Sequence, residues 1–495
     1  MRGSIVFFVN GMFVVRGEQY AMRFLAQFSE EDGEAAESAQ QKEAAEAEAA
    51  AGAAEPRALV LALDVTALDA SRPYARRHNV RLRRDAAEPA PTVIEVPVDD
   101  GAMGPAVVRR YAYVATLGVH EGGTKEVRGT FALVGELARD ELRFGFVSCN
   151  DNCAPSAWNA YRAQGRETAW PALGDERVDV LVHCGDQVYA DGVYAAARAG
   201  ASAEMCAARL RELYASTYAE PWQARAMRNA LNVAILDDHE VADGYGVARL
   251  EPSYYVALAL AAYRAYQCDL RANAFDASTE SYSFVQRVGK YTLVALDERS
   301  PMVRTGVAVD ERAVELVAGA ARDARRDARE LIVVSPRPLV FLDPVCSAVL
   351  GAVASDGKDA LMHPRNMAGT LRLRDALLHH RALGGRACVV SGDVHCAFVQ
   401  THAGALDELV VSGVSRAPLA SEPAHVRLVA AAALAAFAAC KSMVGVARRS
   451  SVAWTANYGV LSSGRLCVRS APLFGIGILG GSSALGSLGD WRNAL

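Results

Sequence analysis

Val178-Asp179-Val180-Leu181-Val182-His183-Cys184-Gly185-Asp186-Gln187-Val188-Tyr189-Ala190-Asp191 reads as a buried strand that stops at a glycine. Three side chains able to hold a metal follow it, Asp186, Tyr189 and Asp191. A short β-branched apolar run bounded by polar residues fits a central parallel strand, and ligands of open α/β sheets gather outside the carboxyl ends of such strands. Taken alone, the stretch is first an ordinary strand-to-helix turn in which Asp186 caps the next helix. Recurrence changes that reading.

Four further apolar runs of strand length end in residues suited to chemistry. Phe144–Val147 leads into Ser148-Cys149-Asn150-Asp151, Asn232–Leu236 into Asp237-Asp238-His239-Glu240, Leu331–Val334 into Ser335-Pro336-Arg337, and Ala387–Val390 into Ser391-Gly392-Asp393-Val394-His395. As parallel neighbours, these strands would bring carboxylates, imidazoles, a thiol and a phenol to one edge of one sheet.

At 495 residues the chain is long for one domain and comfortable for two. The 52 basic and 57 acidic side chains give a net charge of -5, and the arginines are scattered, which argues against a nucleic-acid partner. Cys184, Cys388, Cys440 and Cys467 lie in apolar runs, as thiols do in a reducing compartment, so no disulfide framework is expected. Cys149 and Cys153 lack a second pair at zinc-finger spacing. A cytoplasmic location is expected. The alternative is secretion through the apolar start Ile5–Val9, but Asn10-Gly11 splits that run and reads as a hairpin turn instead. No transmembrane span is expected: Val426–Val446 is interrupted by Arg427 and Lys441 and reads as a packed helix.

Residues 29–56 consist almost wholly of Glu, Ala, Gln and Gly and form an acidic low-complexity linker inserted in an amino-terminal β unit, 1–140. Short β-type segments separated by turns give that unit a β-sandwich. Residues 141–470 alternate strand and helix, which is the pattern of an α/β catalytic domain, and 471–495 form a Gly/Ser-rich tail. Within the tail, Gly475-Ile476-Gly477-Ile478-Leu479-Gly480 matches a dinucleotide fingerprint formally. Too few residues follow for a βαβ unit, so no nucleotide cofactor is expected.

Cys149, Asp186, Tyr189, Asp238, Asp393 and His395 make a ligand inventory for two metal ions, with Asp186 as the bridge. Phenolate and carboxylate favour a ferric or other oxygen-loving ion, and thiolate adds a softer donor. Paired cations generate hydroxide near neutral pH and neutralise an anionic substrate, so phosphate esters fit best. His239 would protonate the leaving alkoxide or steady the transition-state charge.

Ser-Cys-Asn at 148–150, His-Cys-Gly-Asp-Gln-Val-Tyr-Ala-Asp at 183–191, Asp-Asp-His-Glu-Val-Ala-Asp-Gly-Tyr-Gly at 237–246 and Ser-Gly-Asp-Val-His at 391–395 resemble the motifs of PhoD-like alkaline phosphatases, a branch of the binuclear metallophosphoesterase superfamily. The resemblance extends from about Leu142 to Val460. It implies an α/β fold with a metallophosphoesterase-type double β-sheet core flanked by helices, behind the amino-terminal β-sandwich. It also implies hydrolysis of phosphomonoesters or phosphodiesters with two or more metal ions, iron plus calcium, with other divalent ions as the alternative. By the resemblance, Cys149 and Tyr189 bind the first metal with Asp186 bridging. Asp238 stands where the superfamily has the asparagine of Gly-Asn-His-Glu, and His239 matches its catalytic histidine. Asp393 replaces the first histidine of Gly-His-x-His, and His395 matches the second. The superfamily's mid-chain metal histidine has no counterpart near Ser335-Pro336-Arg337.

Arg337 is a candidate clamp for a phosphate oxygen, the alternative being a surface arginine without a role, and Arg299 and Arg416 are candidates of the same kind. Asp191 and Asp243 are candidate orienters of the ligands, or helix caps. The substrate would be a small-molecule, lipid or nucleotide phosphoester, its pocket shaped by the segment Phe341–Asn366. Two other functions fit the residues: a metal-free cysteine hydrolase using Cys149 with His239 or His395, and a non-catalytic scaffold on the same fold.

Overall fold

A computed structural model describes residues 3–16, 19–30, 59–82, 91–98, 100–118, 124–151, 168–270, 281–353, 358–415, 445–448, 450, 452, 456–470 and 485–487. The amino-terminal third forms two antiparallel sheets. The strands, in chain order, are β1 (Gly3–Arg16), β2 (Gln19–Glu30), β3 (Leu59–Ala67), β4 (Ala75–Leu82), β5 (Thr92–Val98), β6 (Val108–Gly118) and β7 (Thr124–Val134). One sheet runs β1-β2-β5 and the other β4-β3-β6-β7. Alternate residues of β2, β3 and β6 turn inward, and Phe24 from the first sheet meets Tyr113 and Phe131 of the second edge-on, with ring centroids 5.2 and 5.7 Å apart.

The Asn10-Gly11 hairpin is corrected by this arrangement. Both residues lie inside β1, which pairs with β2 out to Arg16 opposite Gln19, and the register slips between Asn10 and Phe13 as a bulge. Tertiary contacts override the local turn signal. The buried Asn10 amide donates to the carbonyls of Thr130 and Arg228, and Asn232 donates back to the Asn10 carbonyl at 2.8 Å. A Cβ on Gly11 would stand 2.6 Å from the Leu270 carbonyl oxygen. The acidic linker lies outside the described residues apart from its first two, Ser29 and Glu30, which end β2.

The rest of the chain builds two larger sheets. The first contains β8 (Phe144–Val147), β9 (Val180–His183) and β10 (Leu231–Ala234), parallel in the order β10-β9-β8. The second contains β11 (Phe284–Val288), β12 (Tyr291–Ala295), β13 (Glu330–Ser335), β14 (Arg386–Ser391), β15 (Phe398–His402), β16 (Leu406–Val410) and β17 (Val446–Arg448). Its order is β11-β12-β13-β14-β16-β15-β17, with β12, β13, β14 and β16 parallel. Antiparallel β18 (Asn457–Ser462), β19 (Arg465–Ser470) and β20 (Leu485–Ser487) complete the first sheet, so part of the stretch read as a tail pairs with the core. The expected five tips therefore belong to two sheets, not one.

Between the sheets lies an apolar core, and helices cover their outer faces. In β13, Ile332 and Val334 point into the core between the sheets, while Leu331 and Val333 meet helices. Such two-sided burial explains why these strands read as continuous apolar runs. Phe144 of the first sheet meets Tyr291 of the second edge-on at 4.9 Å. The helices are α1 (Trp170–Asp175), α2 (Asp191–Arg198), α3 (Ala203–Ala219), α4 (Pro221–Arg228), α5 (Ser253–Tyr263), α6 (Arg299–Thr305), α7 (Glu311–Arg326), α8 (Pro344–Val353) and α9 (Pro364–Ala382). A π-helical turn, Arg264–Cys268, extends α5. Trp170, Tyr214 and Met227 cover the first sheet, and Val317, Leu373 and Leu377 the second. Among the described residues no helix is long and apolar enough to cross a membrane. Of the expected Val426–Val446 helix, 426–444 lie outside the described residues and Val446 begins β17. The eight cysteines among the described residues are free.

Candidate metal centre

Because β8, β9 and β10 run parallel in one sheet and β12, β13, β14 and β16 in the other, their carboxyl ends carry the candidate residues. Eight non-glycine residues adopt positive φ among the described residues. Four of them are Cys149 (56°), Asp186 (58°), Asp393 (67°) and His395 (50°). Such backbone costs on the order of 1–3 kcal/mol per residue and persists only where surrounding contacts impose it. Strain has gathered at the strand tips.

The contacts that impose it can be named. The buried Glu240 carboxylate accepts from the backbone N–H of Asp186 (3.2 Å), Gln187 (2.6 Å) and Asp237 (2.8 Å), which ties the loop after β9 to the loop after β10. Gly185, at φ 98°, leaves room for that approach, since a Cβ there would stand 2.6 Å from Asp237 Cβ. Asn150 N–H donates to the Asp186 carbonyl at 2.7 Å, and Ser148 Oγ accepts from Asp393 N–H at 3.3 Å across the two sheets.

Asp186 is fully buried and stands among two donor sets. Cys149 Sγ and Tyr189 Oη each lie 3.4 Å from its Oδ2, and Tyr189 Oη lies 3.4 Å from His395 Nε2. Separately, Asp186 joins Asp237, Asp238 and Asp393 in a set whose ligand atoms all lie within 4.8 Å of one another, and joins Asp238 and His239 in a second such set. Asp237 was absent from the sequence-derived ligands. Its place beside Asp238, directly after an apolar strand, was the available signal.

Charge in this cluster is under-compensated. Two unit charges about 4 Å apart repel by about 4 kcal/mol at an effective dielectric of about 20. Burial, then Cys149 and the neighbouring acids, pushes the Asp186 carboxyl well above the usual range, and burial with Asp237 and Asp238 does the same to Asp393. Burial also lifts Asp237 to about 6 despite Arg299. In Asp238 burial is outweighed by Arg299, His239 and the Gly244 N–H, and its pKa is lowered to about 2. Burial pushes the Cys149 thiol up, as does Asp393, against hydrogen bonds from Ser148, Ser412 and Tyr189.

His239 Nδ1 lies 2.8 Å from Asp191 Oδ2, and the other Asp191 oxygen accepts from the Asp243 N–H at 2.8 Å. Asp191 thus orients His239, while Asp243 contributes through its backbone and keeps an exposed carboxylate. Burial pushes Asp191 up, but the His239 hydrogen bond and charge hold it below the usual range.

Arg299 and Arg337 are corrected. Neither is a surface arginine, and neither guanidinium is available as a phosphate clamp, because both are committed to carboxylates in the interior. Arg299 binds Asp237 through Nε, Asp238 through Nη2 at 3.1 Å, and Asp359 through Nη1 at 2.8 Å. Arg337 binds Glu298 at 3.0 Å and also Asp359. Asp359 lies in the segment expected to shape the substrate pocket, so these arginines tie that segment to the acid cluster. Arg416 lies outside the described residues.

The donor set fits cations. It offers hard oxygens, an imidazole, a phenol and a thiol, and Asp237 Oδ2 is buried with no hydrogen-bond partner.

Residues 144–332 match the family model for PhoD-like phosphatases, a segment that holds the first three of the four motifs, and with it comes the class of phosphoric ester hydrolases. No curated protein matches the chain. Among solved structures, one titled "Structure of PhoD" is similar at 12% identity and a TM-score of 0.59, covering 94% of this chain and 85% of that one. This likeness shows the fold. A dimetal phosphatase from Danio rerio is 12% identical, with 66% of this chain and 96% of that one covered at a TM-score of 0.34.

Proposed function

Taking residues 144–332 as a PhoD-like phosphatase domain, we propose that the chain hydrolyses phosphomonoesters or phosphodiesters at a binuclear metal centre shared by its two large sheets. The observation that carries this reading is the position of Asp186, common to the Cys149–Tyr189–His395 group and to the Asp237–Asp238–Asp393 group. Those seven residues would hold the ions, and iron with calcium is the pair we propose. When bound, such ions lower the pKa of a water and neutralise phosphate charge.

The chain's own residues supply the remaining steps. Hydrolysis forms a P–O bond to the oxygen of water, whose proton passes to solvent, and breaks the ester P–O bond, with His239 regaining its proton from solvent at the end of the cycle. The leaving alkoxide takes a proton from His239 Nε2, while the Asp191 carboxylate holds Nδ1–H and stabilises the imidazolium. Arg299 offsets part of the acid cluster's charge before any ion binds. A catalytic unit beginning near residue 141 behind an amino-terminal β-sandwich fits this reading, and a cytoplasmic location is proposed with it from the cysteines in apolar runs of the sequence.

The cysteine hydrolase is the weaker alternative. Cys149 is wholly buried, and burial together with Asp393 pushes its thiol up, whereas reactive thiols occupy electropositive, accessible surroundings. A scaffold has no physical need for an under-compensated acid cluster. Chelation separates these readings. Activity on aryl phosphate mono- and diesters vanishes on metal removal and returns on restoration, and activity that survives the chelator contradicts the proposal.

A further inference from the structure

Ser412 follows β16 in the second sheet, yet its hydroxyl lies 2.9 Å from Cys149 Sγ at the tip of β8 in the first. The same Oγ accepts the His395 backbone N–H at 2.8 Å. With that acceptor position used, the Ser412 O–H proton is available to donate, and a metal-ligating thiolate has no proton of its own to give. Ser148 differs: its hydroxyl also lies 3.2 Å from the Gly185 carbonyl, a competing acceptor, and stands farther from Sγ at 3.3 Å. Ser412 is itself held in place. Its N–H donates to Asn457 Oδ1 at 3.0 Å, and Asn457 Nδ2 donates back to its carbonyl.

We propose that Ser412 is a positioning residue that donates a hydrogen bond to the Cys149 thiolate and fixes the His395 backbone, setting the electron-donor strength of one ligand and the placement of another. The inference rests on the metal reading above. Hydrogen bonds to a ligating sulfur draw charge from it and tune the metal, and losing such a partner typically costs about 10–100-fold in metal affinity. Because the two contacts come from opposite sheets, this hydroxyl also sets how closely the ligands of the two sheets approach each other.

The probe is cobalt(II) alone, added to the chelator-stripped full chain. Wild type develops a near-ultraviolet thiolate-to-cobalt charge-transfer band that Cys149→Ser lacks. In Ser412→Ala the band moves to longer wavelength, because a thiolate without its donor gives up charge more easily, and cobalt affinity falls about tenfold. Ser412→Thr, which keeps the hydroxyl, restores the wild-type band. A band unmoved in S412A overturns the role of Ser412 while leaving the metal reading intact. Absence of the band from wild type overturns the metal reading and this inference with it. Should S412A fail to fold, Ser412→Gly, which also lacks the hydroxyl and adds no ligand, is judged by the same shift.

Discussion

Asp186 and Glu408 are equally buried, yet they belong to opposite kinds of polar interior. Glu408 accepts from the Leu339 N–H (2.8 Å), Ser391 Oγ (2.9 Å), Gln400 Nε2 (2.6 Å) and His402 Nε2 (2.7 Å). Burial alone would push it up, but the His402 hydrogen bond and charge, with the other donors, hold it below the usual carboxylate range. Asp186 faces Cys149 and three acids, and is pushed well above that range. Burial is common to both. What marks the functional region is a shortfall of positive charge: His402 pairs with Glu408, whereas at the strand tips Arg299 meets Asp237 and Asp238 and, among the described residues, Asp186 has no paired cation.

Exchange of one oxygen at each site breaks the comparison in opposite directions. Asp186→Asn removes the shared ligand, and since bound ions contribute several kcal/mol of transition-state stabilisation, kcat/KM on an aryl phosphate falls by on the order of a thousandfold or more. Circular dichroism of D186N stays native and its metal content drops. Glu408→Gln does the reverse: with buried donors left facing an amide, stability falls by roughly 3–5 kcal/mol in urea unfolding, while metal bound per folded chain stays at the wild-type level. Equal metal loss in both variants would erase the distinction.

A smaller effect appears in the pH dependence of the metal-free protein. Asp237 is lifted to about 6, and Asp186 and Asp393 are also raised, so the native chain keeps protons that the unfolded chain releases above about pH 4. The stability from these groups is fully present below about pH 4 and is lost as pH rises through 6, with Asp237 alone accounting for on the order of 3 kcal/mol. Asp238, lowered to about 2, loses its contribution only as pH falls from about 4 through 2, outside that window. Unfolding midpoints between pH 5 and 8 therefore decline without metal, and added metal stabilises more at the higher pH. A metal-free midpoint that rises across this range would contradict the charge account.

The strand tips were legible because each apolar run is buried on both faces and ends in polar residues within two positions. Their division between two sheets was not, since neighbour order is fixed by pairings such as β8 with β18, whose partners Phe146 and Gly459 lie far apart in sequence. Arg299 and Arg337 were misread for a similar reason: a guanidinium's role depends on carboxylates such as Asp237 and Asp359 that approach only in the folded chain. Asn10-Gly11 carried a true local signal that contacts with Thr130, Arg228 and Asn232 overrode. The roles of Glu240 and Ser412 leave no mark in composition or spacing, because these residues act on backbone N–H groups and on a sulfur from neighbouring loops.

The central claim is that under-compensated charge around Asp186 is a place for two cations. Titrating the stripped protein with metal while counting bound ions by elemental analysis tests it directly. The account predicts two equivalents per chain, taken up with release of protons and in step with the return of phosphoesterase activity. Hydrolysis at full rate with no bound ion, or an acid cluster that takes up none, would contradict it.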